Sequence, residues 1–183
     1  MAKDASELAA AFGYLTQDEV LAIQKLAMTL PDIATVVNIG AGSGTSSLAI
    51  REANTYATII TIDISEGGPL GGLENERNAF ENAGVDRIFW PLQRLGKSHD
   101  QAKLWHPDHK IDMLFVDDGH KEPEIRGDIL GWLPLVKIGG IVAFHDYGSP
   151  RWPDVKMVVD ELMPQYGRQI LFVDSVIAFE VTK

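Results

Sequence analysis

Two short stretches gather the groups able to do acid–base or metal chemistry: Asp117-Asp118-Gly119-His120 and His145-Asp146. Each closes a run of apolar β-formers, IDMLFV and GGIVAF. Carboxylates at the ends of neighbouring parallel strands repel one another unless a cation, a proton or a hydrogen-bond donor lies between them. Oxygen donors with one imidazole suit Mg2+, Mn2+ or Ca2+ better than a soft metal. An aspartate so placed also works without a metal, and ordinary loop polarity, with Asp118 or His120 capping the next helix, is the plainer reading.

A third stretch, VVNIGAGSGTSSLAI at 36–50, places glycine at 40, 42 and 44 between a strand pattern and a helix pattern. A pyrophosphate fingerprint needs its third glycine three places after the second. Thr45 stands there, and the third glycine comes one position early, at Gly44. Alternating glycines let the backbone pass beneath a bulky uncharged or zwitterionic group without demanding a phosphate. Asp63, nineteen residues past Gly44, ends the next strand pattern. A carboxylate there accepts both hydroxyl hydrogens of a ribose. Alone it would read as a turn or cap residue; beside the glycine turn it reads as a nucleoside contact.

These residues need a scaffold that brings strand ends together. The first thirty residues read as helix, with a capping box at Thr16-Gln17-Asp18-Glu19. Strands are then expected at TVVNIG, ATIITIDI, RIFWPL, IDMLFVDD and GGIVAFHD. Helices are expected at TSSLAIREAN, GLENERNAFENAG, SHDQAKLW, PEIRGDILGWLPLV and PDVKMVVDELM. Continuously apolar strands separated by helices make a parallel sheet covered on both faces. Residues 169–173 and 176–181, split by Asp174-Ser175, read as a hairpin. The expectation is an α/β, Rossmann-like three-layer sandwich with a seven-stranded, mostly parallel sheet and a C-terminal β-hairpin. One domain spans 1–183: a helical cap at 1–34, a core at 35–147, and a terminal helix and hairpin at 148–183.

The balance of 16 basic against 26 acidic residues, −10 in all, repels phosphate backbones and excludes nucleic acid as an expected partner. No cysteine is present, so disulfides and thiolate sites are excluded. No apolar run approaches the roughly 20 residues a membrane span needs, and the N-terminus lacks a signal-peptide layout. A cytoplasmic location, no membrane partner and a small-molecule substrate are expected. His106 and His109 flank Pro107 without a zinc-protease spacing and read as an exposed turn. The Gly67–Gly72 loop reads as a lid or as slack. Tyr147 and Trp152 read equally as substrate wall or partial core, and Trp90 and Trp132 as core.

Taken in order, NIGAGSGTS, TIDIS and IDMLFVDDGHKEPEIRGDILGWLPLVKIGGIVAFHDY resemble a class I S-adenosylmethionine-dependent methyltransferase over about residues 34–147. The FVDDGH…GG…FHDY block is similar to a bacterial group of small methyltransferases related to the metal-dependent O-methyltransferases. The resemblance implies that Asn38, Gly40, Ala41, Gly42 and Gly44 lie against the methionine and ribose of S-adenosylmethionine, with Asp63 and Ile64 at the ribose hydroxyls and Asp117 at the rim. Related sequences carry an aspartate where Lys97 stands, so Ser98 or Gln93 is expected to meet the adenine amine instead. Asp117, His145 and Asp146 take the positions that hold a divalent cation such as Mg2+ in the metal-dependent enzymes. Such an ion would lower the pKa of a substrate hydroxyl and aim its oxygen at the methyl. The implied catalytic residues are Asp117, His120 and His145, the proton going to His120 or an unligated neighbour. A homodimer is a further expectation. The rivals are a non-catalytic cofactor-binding module and a nicotinamide oxidoreductase; the latter lacks both the glycine spacing and a Tyr-x-x-x-Lys pair.

Overall fold

The computed structural model describes residues 4–12, 14–68 and 71–183. Strands β1 (Thr35–Ile39), β2 (Thr58–Asp63), β3 (Leu92–Leu95), β4 (Ile111–Val116) and β5 (Val136–Phe144) pair in parallel in the order β3-β2-β1-β4-β5. The sheet continues through β7 (Val176–Val181), antiparallel to β5, and ends at β6 (Gly167–Val173). The expected seven-stranded sheet with one reversed strand is what forms, and β1 and β4 meet where the strand order reverses.

Neighbouring strand residues alternate between two cores. Val36, Ile59, Met113 and Ile141 face helices α1 (Ala5–Phe12), α2 (Gln17–Met28), α3 (Thr45–Ala53) and α4 (Leu73–Asn82). Val37, Ile60, Leu114 and Val142 face α5 (Ser98–Lys103), α6 (Glu122–Trp132) and α7 (Pro153–Leu162). The period of two thus builds the three layers directly. Trp132 is wholly buried; Trp90 packs at the edge of the first core, its indole N–H donating to the Val85 carbonyl (2.8 Å). Among the described residues no helix is long and apolar enough to cross a membrane.

Three expectations need correction. The N-terminal helix is two helices, because Thr16 accepts from the Glu19 N–H and starts α2 afresh. The third strand lies at Leu92–Leu95, not at RIFWPL. Asp86 accepts from the Ile88 N–H and turns Arg87–Phe89 into a 3-10 turn, and Pro91 has no N–H for a ladder. Strand β5 begins earlier than expected, at Val136, and its register against β4 shifts between Val136 and Ile141.

Candidate active site

Register sets the site. Ile39 pairs with Ile62 and Val116, and Val116 pairs with Phe144. The residues that follow these therefore stand in one row on the carboxyl rim: Asp63, Gly40, Asp117 and His145. The ladder runs one step past the strands to hold them there. Gly40 donates to the Ile62 carbonyl (2.8 Å), Asp117 to Ile39 (2.9 Å), His145 to Val116 (3.1 Å) and Gly96 to Asp63 (2.8 Å).

The glycine turn sits at the middle of that row. Gly40 has φ +93°, and a Cβ there would collide with the Asp117 carbonyl oxygen. Gly42, at φ +50°, would send a Cβ into open space, so the turn is tight below and free above. Asp63 ties it to the next loop: its two oxygens accept the N–H groups of Ala41 (2.8 Å) and Ser65 (2.7 Å). Gly44 rests on Glu76 and Ala79 of α4. Gly72 donates to the Gly42 carbonyl (2.9 Å), so the second glycine-rich loop crosses the first; its Pro69 and Leu70 lie outside the described residues.

Two expected contacts are directed inward instead. Asn38 is fully buried; its amide donates to the Gly40 carbonyl (3.1 Å) and Ser47 (2.8 Å), bracing the turn from beneath. Ser47 in turn meets Glu76, which also bonds Thr61 and Gln93 (both 2.7 Å). Burial pushes the Glu76 carboxyl upward against those hydrogen bonds. Gln93 is fully engaged by Leu73, Glu76 and Arg77. Ser98 is buried and its hydroxyl accepts the Trp132 indole N–H (2.8 Å). Ile64, by contrast, is 62% exposed beside Asp63.

At the other end of the row, His145 is buried between carboxylates. Its Nδ1 lies 2.9 Å from Asp117 and 3.5 Å from Asp146, and its Nε2 lies 3.4 Å from Glu19. Burial opposes a charged ring, but Asp117, Glu19 and Asp146 outweigh it and push the His145 pKa up to about 11. Burial likewise works to raise Glu19, yet bonds from His145, Ser175 and the Thr16 N–H hold it near 2. Donor atoms of Asp117, His120 and Asp146 converge within 4.8 Å of one another. His120 thus takes the place expected of His145, because both nitrogens of His145 already face carboxylates. His120 donates from Nε2 to Asp146 (2.8 Å) and stacks on Trp152, ring centroids 4.4 Å apart. The Asp146 bond raises its pKa against burial. Asp146 holds the left-handed backbone at φ 59°, a cost a fold tolerates where a side chain must be aimed.

Glu19 is the residue that sequence reasoning took only as a helix cap. One oxygen accepts both the N–H (2.9 Å) and the hydroxyl (2.6 Å) of Ser175 in the terminal hairpin; the other accepts from the Thr16 N–H (2.8 Å) and faces His145. His106 and His109 are an exposed turn, as expected.

A family model described as a methyltransferase domain matches residues 37–147, the span from β1 through the His145-Asp146 rim. This chain belongs to the methyltransferase-domain family. It is a methyltransferase by that membership, and its fold is the class I arrangement the motifs resemble. The O-methyltransferase TomG from Streptomyces achromogenes, solved with S-adenosylmethionine, superposes with a TM-score of 0.72 at 20% identity, covering 98% of this chain and 88% of that one. An O-methyltransferase from Bacillus cereus, in complex with S-adenosylhomocysteine, gives 0.73 at 14% identity, covering 98% and 92%. An rRNA methylase from Streptococcus thermophilus gives 0.67 at 14%, covering 89% and 95%. No curated protein matches the sequence.

Proposed function

We propose that this methyltransferase moves the methyl group of S-adenosylmethionine to a hydroxyl of a small molecule. The observation that carries the reading is the rim row itself: a glycine turn tight against Asp117 yet open above Gly42, with Asp63 on one side and a carboxylate–imidazole cluster on the other. The cradle fits the cofactor. A zwitterion needs close backbone approach, which Gly40 and Gly42 allow, and each Asp63 oxygen keeps a lone pair beyond its one backbone bond for a ribose hydroxyl. Ile64 offers an apolar face to a base. Asn38 braces this turn rather than touching the ligand.

S-adenosylmethionine supplies an electrophilic methyl on a sulfonium. The chain supplies alignment and a place for the proton. Asp117 is fixed by His145, whose ring is fixed by Glu19, so the rim carboxylate holds one orientation. His120, stacked on Trp152 and with its Nε2 proton committed to Asp146, is the group proposed to take the proton of an acceptor hydroxyl, at Nδ1. His145, with both nitrogens engaged, orients rather than accepts. Where a divalent cation joins the site, Asp117, His120 and Asp146 would hold it, and it would acidify the acceptor hydroxyl. The net charge of −10 supports a small acceptor over an RNA backbone.

The test is turnover with donor labelled by carbon-13 at the methyl, offered to phenols, catechols, sugars and amines, with and without Mg2+. Label attached to oxygen is the expected result. Label only on nitrogen, or S-adenosylhomocysteine formed with RNA alone, would overturn the acceptor assignment.

A further inference from the structure

Two cations stand beside the His120 end of the rim with no anion to answer them. Lys121 follows His120 after β4, and Arg151 precedes Trp152 after β5. Both reach the same indole: the Lys121 ammonium lies 5.9 Å and the Arg151 guanidinium carbon 5.0 Å from the Trp152 ring centroid. That ring also stacks on His120, at 4.4 Å. Lys121 and Arg151 are exposed, and among the described residues neither forms an ion pair or a side-chain hydrogen bond. The carboxylates nearby are already engaged. Asp146 pairs with His120 (2.8 Å), Glu122 pairs with Arg126 (2.5 Å), and Asp154 accepts the Glu122 N–H (3.2 Å).

The placement of the two cations works against local stability. Lys121 is the N-cap of α6, a position that favours Ser, Thr, Asn or Asp, and its side chain caps nothing. Arg151 stands just before Trp152, the N-cap of α7, whose side chain caps nothing either. Each helix turns the positive end of its dipole toward these residues, which disfavours a cation there. Folding therefore does not explain them, and in a chain of net charge −10 solubility does not either. The loop bearing Arg151 is nonetheless fixed to the rim. Ser149 donates to the Asp146 carbonyl (3.1 Å), and Trp152 donates to the Ser149 carbonyl (3.0 Å).

We propose that Lys121 and Arg151 bind a carboxylate on the methyl acceptor, so that the enzyme takes a hydroxylated acid with its hydroxyl at His120. The inference rests on the hydroxyl-methylation reading above and names the class of its acceptor. Contact with the indole holds each cation in place without neutralising it. The Arg151 fork matches both oxygens of a carboxylate, and Lys121 adds a point charge. A phosphate monoester would bring a second negative charge toward Asp117 and Asp146, and that like-charge approach disfavours it.

The experiment is calorimetric titration of the full chain, saturated with S-adenosylhomocysteine, with protocatechuate, caffeate and lactate, each beside its uncharged amide. At least one acid should bind about tenfold more tightly than its amide, and the preference should shrink as salt is raised. Changing Lys121→Ala and Arg151→Ala together should abolish the preference and leave the affinities for the amides and for S-adenosylhomocysteine unchanged. Arg151→Lys should keep part of it. No acid favoured over its amide in the wild type, or a preference that survives in the double variant, would overturn the inference and leave the methyl-transfer reading standing. Failure of S-adenosylhomocysteine to bind at all would overturn both.

Discussion

Glu19 and Asp128 are both buried acids near the same rim, and their proton affinities move in opposite directions. Glu19 is held near 2 and Asp128 is raised to about 7. Burial works upward on both. What differs is the company: Glu19 meets the His145 ring, two Ser175 donors and the Thr16 N–H, whereas Asp128 has Ser98 and the repulsion of Asp118 and Glu124. A carboxylate ringed with donors and a cation is a fastener. One with a single hydroxyl and acidic neighbours is costly to charge, and holds its proton to a higher pH instead.

Stability measurements can break this contrast. Glu19→Ala should cost the most, roughly 3–5 kcal/mol in denaturant unfolding, because it leaves the Nε2 side of a buried imidazolium without a carboxylate and strips acceptors from Thr16 and Ser175. Asp128→Asn should do the reverse and depend on pH. Asp128 holds its proton more tightly folded than unfolded, so its contribution is full below about pH 4 and is lost as pH rises through 7. The Asn variant should therefore match wild type at pH 4 and exceed it by roughly 2–4 kcal/mol at pH 8.

Glu19→Gln keeps one acceptor oxygen but loses the other and the charge, and should cost about 1–3 kcal/mol near neutral pH. That cost should shrink in acid, since a carboxyl held low contributes above its ordinary pKa of 4.5 and loses the contribution as pH falls through 2. Ser175→Ala should be smallest, about 1 kcal/mol, the loss of one hydroxyl bond to Glu19. A flat pH profile for both acids would erase the distinction between them.

The alternation of apolar strands with helices was legible because a parallel sheet buried on both faces writes itself as period and punctuation. So was the rim row, since Gly40, Asp63, Asp117 and His145 each stand one place past or at the end of an apolar run. Strand β3 was misplaced because Arg-Ile-Phe-Trp has strand composition, while Asp86 and Pro91 decide the backbone. Glu19 was read only as a cap: its partners Ser175 and His145 reach it through the hairpin and β5, far along the chain. Asp128 sat unremarked in a helix pattern, since only the packing of α6 on α5 shows it facing Ser98. Asn38 and Ser98 carried the right types for ligand contacts, but the fold turns both inward.

The most direct measurement is calorimetric titration of the purified chain with S-adenosylmethionine and, separately, with NADH. Saturable binding of the first at micromolar concentration, and none of the second, is the predicted result. No heat with S-adenosylmethionine, or binding of NADH in its place, would contradict the account of the glycine turn and the rim built around it.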